Sequence, residues 1–570
     1  MPRTYAGRRR FVLLLFALAG LTLVIRAVDQ QIFEVDFLQA EGAERYLYDA
    51  VVPAHRGLIT DRNGTVLAVS APVDSIVADP HYLRPDHPRL AALAQALGMN
   101  TEVLRERLAR YSNKRFVYLK RRLPPARADR IMAVVDEQDL PGVHRQREYR
   151  RYYPDGEVFA HVVGFTNFEN RGQEGLELAF DEALAGVPGL QRVLRDGRRR
   201  TVEVVESLHM RRPGKNLVLS LDQRLQYIAY RELKAAVRKH KAKAGAMVVL
   251  DVRTGEVLAM VNQPGYNPNG NRSSKGGRLL NRAVTQIFEP GSTMKPLILA
   301  AALDSGAISA GDRIDTGKGL IRIGKHKVSD HHPLGTIDLR TLLQKSSNVG
   351  AALVALKMPA ERLHDYLEAL GFGIKTGIRY PGEMAGRLKP AGRWARIEQA
   401  TIAYGYALST TVLQLARAYM ALADDGMVKP VTLLRRNQPP EGKRVFKAEV
   451  ARLVRKLMES VVEKGGTAPA AAIPGYRVAG KTGTVKKSGK GGYRTKRYYA
   501  LFAGMVPASR PRLVAVVMLD EPRGRHYYGG QVAAPVFAAV MDDALRLLNV
   551  PPDALETRAG VRLAGADKTK

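Results

Sequence analysis

Residues 11–25 read FVLLLFALAGLTLVI, fifteen positions without a charge, and no other stretch of the chain is apolar over a comparable length. Counting on through Val28 gives eighteen residues, provided that Arg26 extends its charged head toward the lipid headgroups. Arg3, Arg8, Arg9 and Arg10 precede the run. Such a basic cluster stays cytoplasmic, so the pattern predicts a cytoplasmic segment 1–10, a span 11–28 and an exported remainder. No small-x-small cleavage site lies between the apolar run and Asp29-Gln30-Gln31. The pattern therefore favours an uncleaved, single-pass inner-membrane anchor over a signal peptide.

After the anchor, residues 29–215 mix short β-like runs, charged helices and repeated Arg and Pro. Residues 56–68 alternate as strand, Asn63-Gly64 turn and strand, which predicts a hairpin. A charged helix follows, from Leu217 or Asp222 to Lys239. The texture changes at Ala246, where apolar strands 246–251 and 256–261 flank the turn Arg253-Thr254-Gly255. Three further strands are expected at 476–485, 498–506 and 513–519. Between the two groups the pattern is mostly helical, including 296–303 and 402–423. A last helix covers 542–548, with Val536, Phe537, Val540, Met541 and Leu545 on one face. Strands from both ends of a domain flanking a helical middle predict one antiparallel sheet with helices packed on it, an α+β fold. The expected division is a mixed α/β domain at 29–215, the α+β domain at 216–550 and a loose tail at 551–570.

A chain of 570 residues has room for two or three domains, and a hydrophobic fraction of 45% is that of a folded body. Lys and Arg outnumber Asp and Glu by 89 to 55, a formal charge of +34. Nucleic acid is the default partner for such a charge. The chain has no zinc-finger or RNA-recognition signature and does have a membrane segment, so an anionic envelope surface is the preferred attractor and no nucleic-acid partner is expected. With no cysteine there is neither disulfide nor thiol catalysis. Asp330-His331-His332 lacks a third spaced ligand, so no metal site and no cofactor are expected.

The candidate chemistry lies in three ordered motifs: Ser292-Thr293-Met294-Lys295, Ser346-Ser347-Asn348 and Lys481-Thr482-Gly483. They supply a nucleophilic hydroxyl, an amine able to take its proton, a hydroxyl–amide pair and a second cation. Acyl transfer by a serine enzyme needs these groups when no His-Asp couple is used. Glu289-Pro290-Gly291 forces an extended approach and a turn, and the apolar run 297–303 then predicts a helix. Ser292 is thus expected at a helix N-terminus, with Lys295 over the same face. Helix-end amides favour a developing oxyanion and disfavour a charged lysine beside them. Ser346 and Asn348 are expected at the exit of a helix that buries Leu339, Leu342 and Leu343. K-T-G occurs twice. Lys375-Thr376-Gly377 lies among glycines in a loop, whereas 481–483 opens a strand whose edge can present amides and side chains to an extended substrate. The second copy is assigned to the site.

At these motifs the chain resembles the class B, monofunctional penicillin-binding proteins. RGLITDRNG at 56–64, RYYPDGEVFAHVVGFTN at 151–167, GQEGLELAFDEALAG at 172–186, FEPGSTMKP at 288–296, AYGYALSTTVLQLA at 403–416 and KTGTVKK at 481–487 extend the likeness. The 151–186 block is most similar to the cell-division branch, the septal transpeptidases of the penicillin-binding protein 3 type. The resemblance implies a membrane-anchored pedestal followed by a transpeptidase domain like a serine β-lactamase, a five-stranded antiparallel sheet with helices on both sides. It implies a peptidoglycan D,D-transpeptidase that cross-links stem peptides at the division septum and is inhibited by β-lactam antibiotics. By motif, Ser292 would attack the D-Ala-D-Ala carbonyl, with Lys295 or a Ser346 relay as base. Asn348 would hold Lys295 and the substrate amide, and Lys481 would supply positive potential for the terminal carboxylate. Thr482 and Thr484 would bind that carboxylate, Gly483 would leave room for it, and the amides of Ser292 and Thr484 would form the oxyanion hole. Implied partners are a division glycan polymerase of the FtsW type and other divisome membrane proteins. An elongation-type transpeptidase and a catalytically silent scaffold are the alternatives. A β-lactamase would be far shorter, and a β-lactam-sensing receptor would carry several spans.

Overall fold

The computed structural model describes residues 5–195, 201–270, 277–487 and 496–554. The N-terminal apolar pattern forms the helix Ala6–Val28, none of it buried, which runs on through a wider turn at Asp29–Phe33. An 18-residue window within Ala6–Phe33 has a mean hydropathy of 2.5, and this is the one helix among the described residues long and apolar enough to cross a membrane. Arg26, near its end, pairs with Asp29.

The chain divides into two compact units that are not contiguous in sequence. The first comprises Met1–Arg56, Ser70–Arg150 and Ala185–Gly214, and the second Gly57–Val69, Arg151–Leu184 and Lys215–Lys570. In the first unit Leu47–Val52, Gly189–Arg195 and Thr201–His209 make a three-stranded antiparallel sheet. A separate small core of Ile76, Leu83, Leu93, Leu104, Leu119 and Ile131 is closed by the helices Leu90–Leu97, Thr101–Arg110 and Pro125–Glu137. Gly98 ends the first of these in the left-handed conformation, and the Asn100 side chain caps the next by accepting from the amide of Glu102.

The second unit is built on a five-stranded sheet in the order Val257–Gln263, Ala244–Asp251, Leu513–Asp520, Tyr498–Val506, Ala479–Lys486, with every neighbouring pair antiparallel. The central strands are buried along their whole length, so both sheet faces are covered. Gln223–Lys239 and Ala534–Leu547 pack on each other and on the sheet. Val412–Ala423 also packs on the sheet and is buried nearly all round, as its continuous apolar sequence requires. Gly480 pairs with Gly504 across two strands, and a Cβ at either would run into the Phe502 ring. That ring fills the gap the glycines leave and meets Phe537 edge-on at 4.9 Å.

The five strands fall where the pattern put them, with shifted ends. The KTG strand begins at Ala479 rather than 476, because Tyr476 turns back to bridge Ile473. The final helix starts earlier, at Ala534, and buries Val536, Phe537, Val540, Met541 and Leu545. The single helix expected over 402–423 is instead two, Arg396–Ile402 and Val412–Ala423. Gly405 and Ala407 both take positive φ, Ser409 and Thr410 bridge Arg387 and Phe288, and Thr411 caps the second helix. Local hydrogen bonding there overrides an apolar period that reads as continuous.

Segments from the first 215 residues complete this unit. The hairpin turn is closed by Asp61, whose Oδ1 accepts from the amides of Asn63 and Thr65, both at 2.8 Å. Asn63 donates to Asp222 at the N-cap of Gln223–Lys239, and Asp61 Oδ2 accepts from the amide of Gln223. Arg151 and Glu177 form a fully buried ion pair at 2.7 Å, tying together the two blocks at 151–167 and 172–186.

Candidate active site

The turn expected before Ser292 is present: Gly291 has φ +60, Gly291–Met294 is a tight helical turn, and Lys295–Asp304 continues as an α-helix. The helix buries residues 295–302, which fixes Lys295 inside the protein. Thr293 Oγ1 donates to the Pro290 carbonyl at 2.7 Å, and the buried Tyr419 hydroxyl donates to the Thr293 carbonyl at 2.7 Å. Below the turn the backbone of Gly405 crosses in contact, with the Gly291 amide donating to the Gly405 carbonyl at 3.1 Å. A Cβ at Gly405 would stand 2.1 Å from the Gly291 oxygen, so no side chain fits between them.

The second motif does more than end a helix. After Leu339–Gln344, Ser346 adopts φ +59, and Ser347 caps a new helix, Asn348–Leu356, by accepting from the Gly350 amide at 2.8 Å. Asp330 holds this start: its carboxylate accepts from Ser347 Oγ at 2.7 Å, from the Val349 amide at 3.0 Å and from the Asn348 amide. Asn348 Nδ2 donates to the Ser329 carbonyl at 3.0 Å, which turns Oδ1 toward Lys295. Asp330, weighed in the sequence only as a metal ligand, is thus the clamp of the S-x-N turn.

The third motif lies on the edge strand. Lys481 is fully buried, Thr482 Oγ1 meets Thr467 Oγ1 at 2.9 Å, and Thr484 Oγ1 accepts from the Gly529 amide at 3.0 Å. Gly483 lies against the Pro290 carbonyl, where a Cβ would sit at 3.1 Å. The other copy, Lys375-Thr376-Gly377, is a loop in which the Thr376 amide and hydroxyl both donate to the buried Glu383.

The three motifs meet at one hydroxyl. Lys295 Nζ donates to Ser346 Oγ at 3.1 Å, to Asn348 Oδ1 at 2.8 Å and to the Ser346 carbonyl. Lys481 Nζ donates to the same Ser346 Oγ at 2.9 Å. Burial holds the Lys295 amine well below its usual range, the Lys481 charge pushes the same way, and Asp330 pulls against both. Burial alone brings Lys481 down to about 7. Ser292, Ser346, Asn348, Thr482 and Thr484 line a cavity of about 750 Å³ whose walls also carry Tyr404, Tyr406, Tyr498, Tyr527 and Tyr528. Tyr498, Tyr527 and Tyr528 stack in sequence, with centroids 4.7 and 4.4 Å apart. These aromatics come from three separate loops and strands and carried no motif by which sequence could collect them.

Fold and constellation fit a serine-type acyl transferase, with buried lysines rather than a histidine beside the motif serines. Residues 245–542 match the penicillin binding protein transpeptidase domain, and residues 51–219 the penicillin-binding protein dimerisation domain. The chain is 42% identical over 557 residues to the peptidoglycan D,D-transpeptidase FtsI of Escherichia coli K12, covering 96% of this chain and 93% of that one. It is 41% identical over 565 residues to the probable peptidoglycan D,D-transpeptidase PenA of Neisseria meningitidis, covering 98% and 96%. Among solved structures, the transpeptidase domain of Burkholderia pseudomallei penicillin-binding protein 3 superposes with a TM-score of 0.55 at 46% identity, over 59% of this chain and 97% of that one. Penicillin-binding protein 3 of Mycobacterium tuberculosis, complexed with aztreonam, superposes with a TM-score of 0.69 at 28% identity, over 88% and 98%. The chain belongs to the class B penicillin-binding proteins.

Two outcomes follow from this geometry. Gly405 (φ +80) and Gly377 (φ +79) have nearly the same positive φ, but a Cβ at 377 meets nothing within 4 Å. Each alanine costs about 1 kcal/mol of backbone strain, and overpacking adds about 1–3 kcal/mol at 405 only. Gly405→Ala should slow acylation by labelled penicillin about tenfold or more, while Gly377→Ala stays near the wild-type rate; equal rates would refute the crossing as a constraint on Ser292. The second outcome concerns pH. An unfolded lysine keeps its proton to about 10.4, whereas folded Lys481 loses it at about 7. Between those values the unfolded chain binds more protons, so stability rises with pH, by at most about 1.4 kcal/mol per unit. Lys481→Met should therefore be more stable than wild type by a margin that is widest below pH 7 and narrows above it. Thermal unfolding in detergent at pH 6 and 8.5 checks this, and a pH-independent margin would contradict it.

Proposed function

We propose that this chain is the septal peptidoglycan D,D-transpeptidase of its cell, with Ser292 as nucleophile. The observation that carries the reading is the Ser346 hydroxyl held between two buried amines whose proton affinity is lowered. With Lys295 neutral, Ser292 Oγ attacks the carbonyl of the penultimate D-Ala and its proton passes to Lys295, directly or through Ser346. The amides of Ser292 and Thr484 receive the developing oxyanion. Collapse breaks the C–N bond, and the leaving D-Ala amine takes a proton through the Ser346 hydroxyl. Lys481, Thr482 and Thr484 bind the terminal carboxylate, and the amine of a second stem peptide then displaces Ser292 to form the cross-link. A β-lactam follows the same first step and leaves Ser292 acylated. The identity to FtsI over nearly the whole chain supports the septal branch.

The same reading places the N-terminus in the cytoplasm and the catalytic body in the periplasm. A transpeptidase without a polymerase of its own needs nascent glycan beside it, so the span and pedestal dock a membrane-embedded glycan polymerase of the FtsW type.

Labelled penicillin should attach to Ser292 by peptide mass spectrometry and fail to attach in Ser292→Ala. Lys481→Ala should cut acylation by several orders of magnitude, and Lys375→Ala by less than about tenfold, or 1.4 kcal/mol. Label retained in Ser292→Ala, or equal losses at the two lysines, would sink the assignment. Replacing residues 11–28 by an unrelated span should preserve acylation and keep the body open to protease in spheroplasts, while weakening rescue of division. A protected body would overturn the topology, and full rescue would remove the span as a docking element.

A further inference from the structure

At the rim of the cavity stands a hairpin of Leu320–Ile323 and His326–Ser329 whose two faces differ. Ile321, Ile323 and Val328 turn inward and pack against a cluster with Val349, Ala352 and Ala400. Arg322 pairs directly opposite Lys327, and Leu320 opposite Ser329, so these four share the outward face. Arg322 and Lys327 are both exposed. Two like charges in direct cross-strand register repel and destabilise the pair. Neither side chain has an acidic partner among the described residues. Lys327 and Ser329 reach the same cavity as Ser292. Among the described residues the one carboxylate lining that cavity, Asp330, is already engaged by Ser347 and by the amides of Asn348 and Val349. Lys327 lines the cavity and Arg322 stands directly opposite it on the neighbouring strand, so the two present adjacent positive charge to an anion entering there.

We propose that Arg322 and Lys327 form a carboxylate-binding subsite for a peptidoglycan stem peptide, taking a carboxylate other than the terminal one that Lys481 attracts. This rests on the transpeptidase reading and adds a substrate requirement to it: a stem whose internal carboxylate is free rather than amidated. The carboxylate can belong to the donor stem, next to the reacting D-Ala, or to the incoming acceptor stem, and the two act in different steps.

The test uses the full-length protein in detergent with two stem-peptide thioester donors that differ only in a free or amidated carboxylate on the residue before the reacting D-Ala. A matching pair of acceptor amines, free acid and amide, is compared in the transfer step. Wild type should prefer the free carboxylate in one of these steps by about three- to tenfold, the range of one or two exposed ion pairs. The preference should shrink as salt is raised. It should vanish in the double variant Arg322→Gln/Lys327→Gln, and because it is a ratio it does not depend on the folded fraction. Loss in the acylation step assigns the subsite to the donor, and loss in the transfer step to the acceptor. Benzylpenicillin, which has no second carboxylate, should acylate Arg322→Gln within about twofold of wild type. A preference equal in wild type and double variant, or absent from both, overturns the subsite. Failure of wild type to acylate with benzylpenicillin would strike the transpeptidase reading instead.

Discussion

Two lysine amines are buried around one serine hydroxyl, and much of the catalytic unit exists to make that tolerable. An ammonium group taken out of water loses hydration worth several kcal/mol even after the protein relaxes (about this order for a single ion). Two of them side by side also repel. Lys295 and Lys481 escape part of the cost by giving up protons easily, and the remaining donors find oxygen: Ser346 Oγ, the Ser346 carbonyl and Asn348 Oδ1. The carboxylate of Asp330 acts on Lys295 through space and spends its oxygens on the S-x-N turn instead. A direct ion pair would have fixed the proton on Lys295.

Holding that arrangement demands close backbone approaches at three places, where a side chain would clash or crowd. The Gly291 turn lies on Gly405, Gly483 passes the Pro290 carbonyl, and Gly529 seats against the carbonyls of Leu501 and Gly483. The positive φ of Ser346, costly for a residue with a Cβ, is of the same kind. It points the hydroxyl between the amines, and the Asp330 clamp and Ser347 cap on the following turn oppose its relaxation.

Much of this was legible because the informative residues are chemically loud and locally patterned. The five strands are apolar runs bounded by turns, and Ser292, Lys295, Ser346, Asn348 and Lys481 sit in short motifs whose order survives folding. The two K-T-G copies separate on flanking pattern: the strand after 481 points to a sheet edge, and the glycines around 375 to a loop. The break at 403–411 was hidden because alternating tyrosines and small residues mimic an apolar helical period. The role of Asp330 was hidden because a carboxylate beside two histidines reads as a metal ligand until the turn it caps is known. Tyr404, Tyr406, Tyr498, Tyr527 and Tyr528 converge only through tertiary structure.

The 151–167 block shows why a long stretch of resemblance can lie outside the catalytic motifs and still serve them. His161 is fully buried, and burial lowers its imidazole to about 4, so it packs as a neutral ring edge-on to Tyr266. Its carbonyl accepts from Asn281 Nδ2 at 3.1 Å and from the Tyr380 hydroxyl. Asn281 Oδ1 accepts from Asn262 on the edge strand of the sheet at 2.9 Å, and Asn262 Oδ1 in turn accepts from the Ala283 amide at 3.0 Å. From Ala283 the chain runs through Phe288, bridged to Thr410, directly into Pro290 and Gly291. The block therefore fixes the segment that delivers Ser292, by a continuous set of buried hydrogen bonds whose rupture would leave polar groups unsatisfied in the core. Its contribution is to the position of Ser292, and this accounts for a segment before the three motifs folding as part of the same unit.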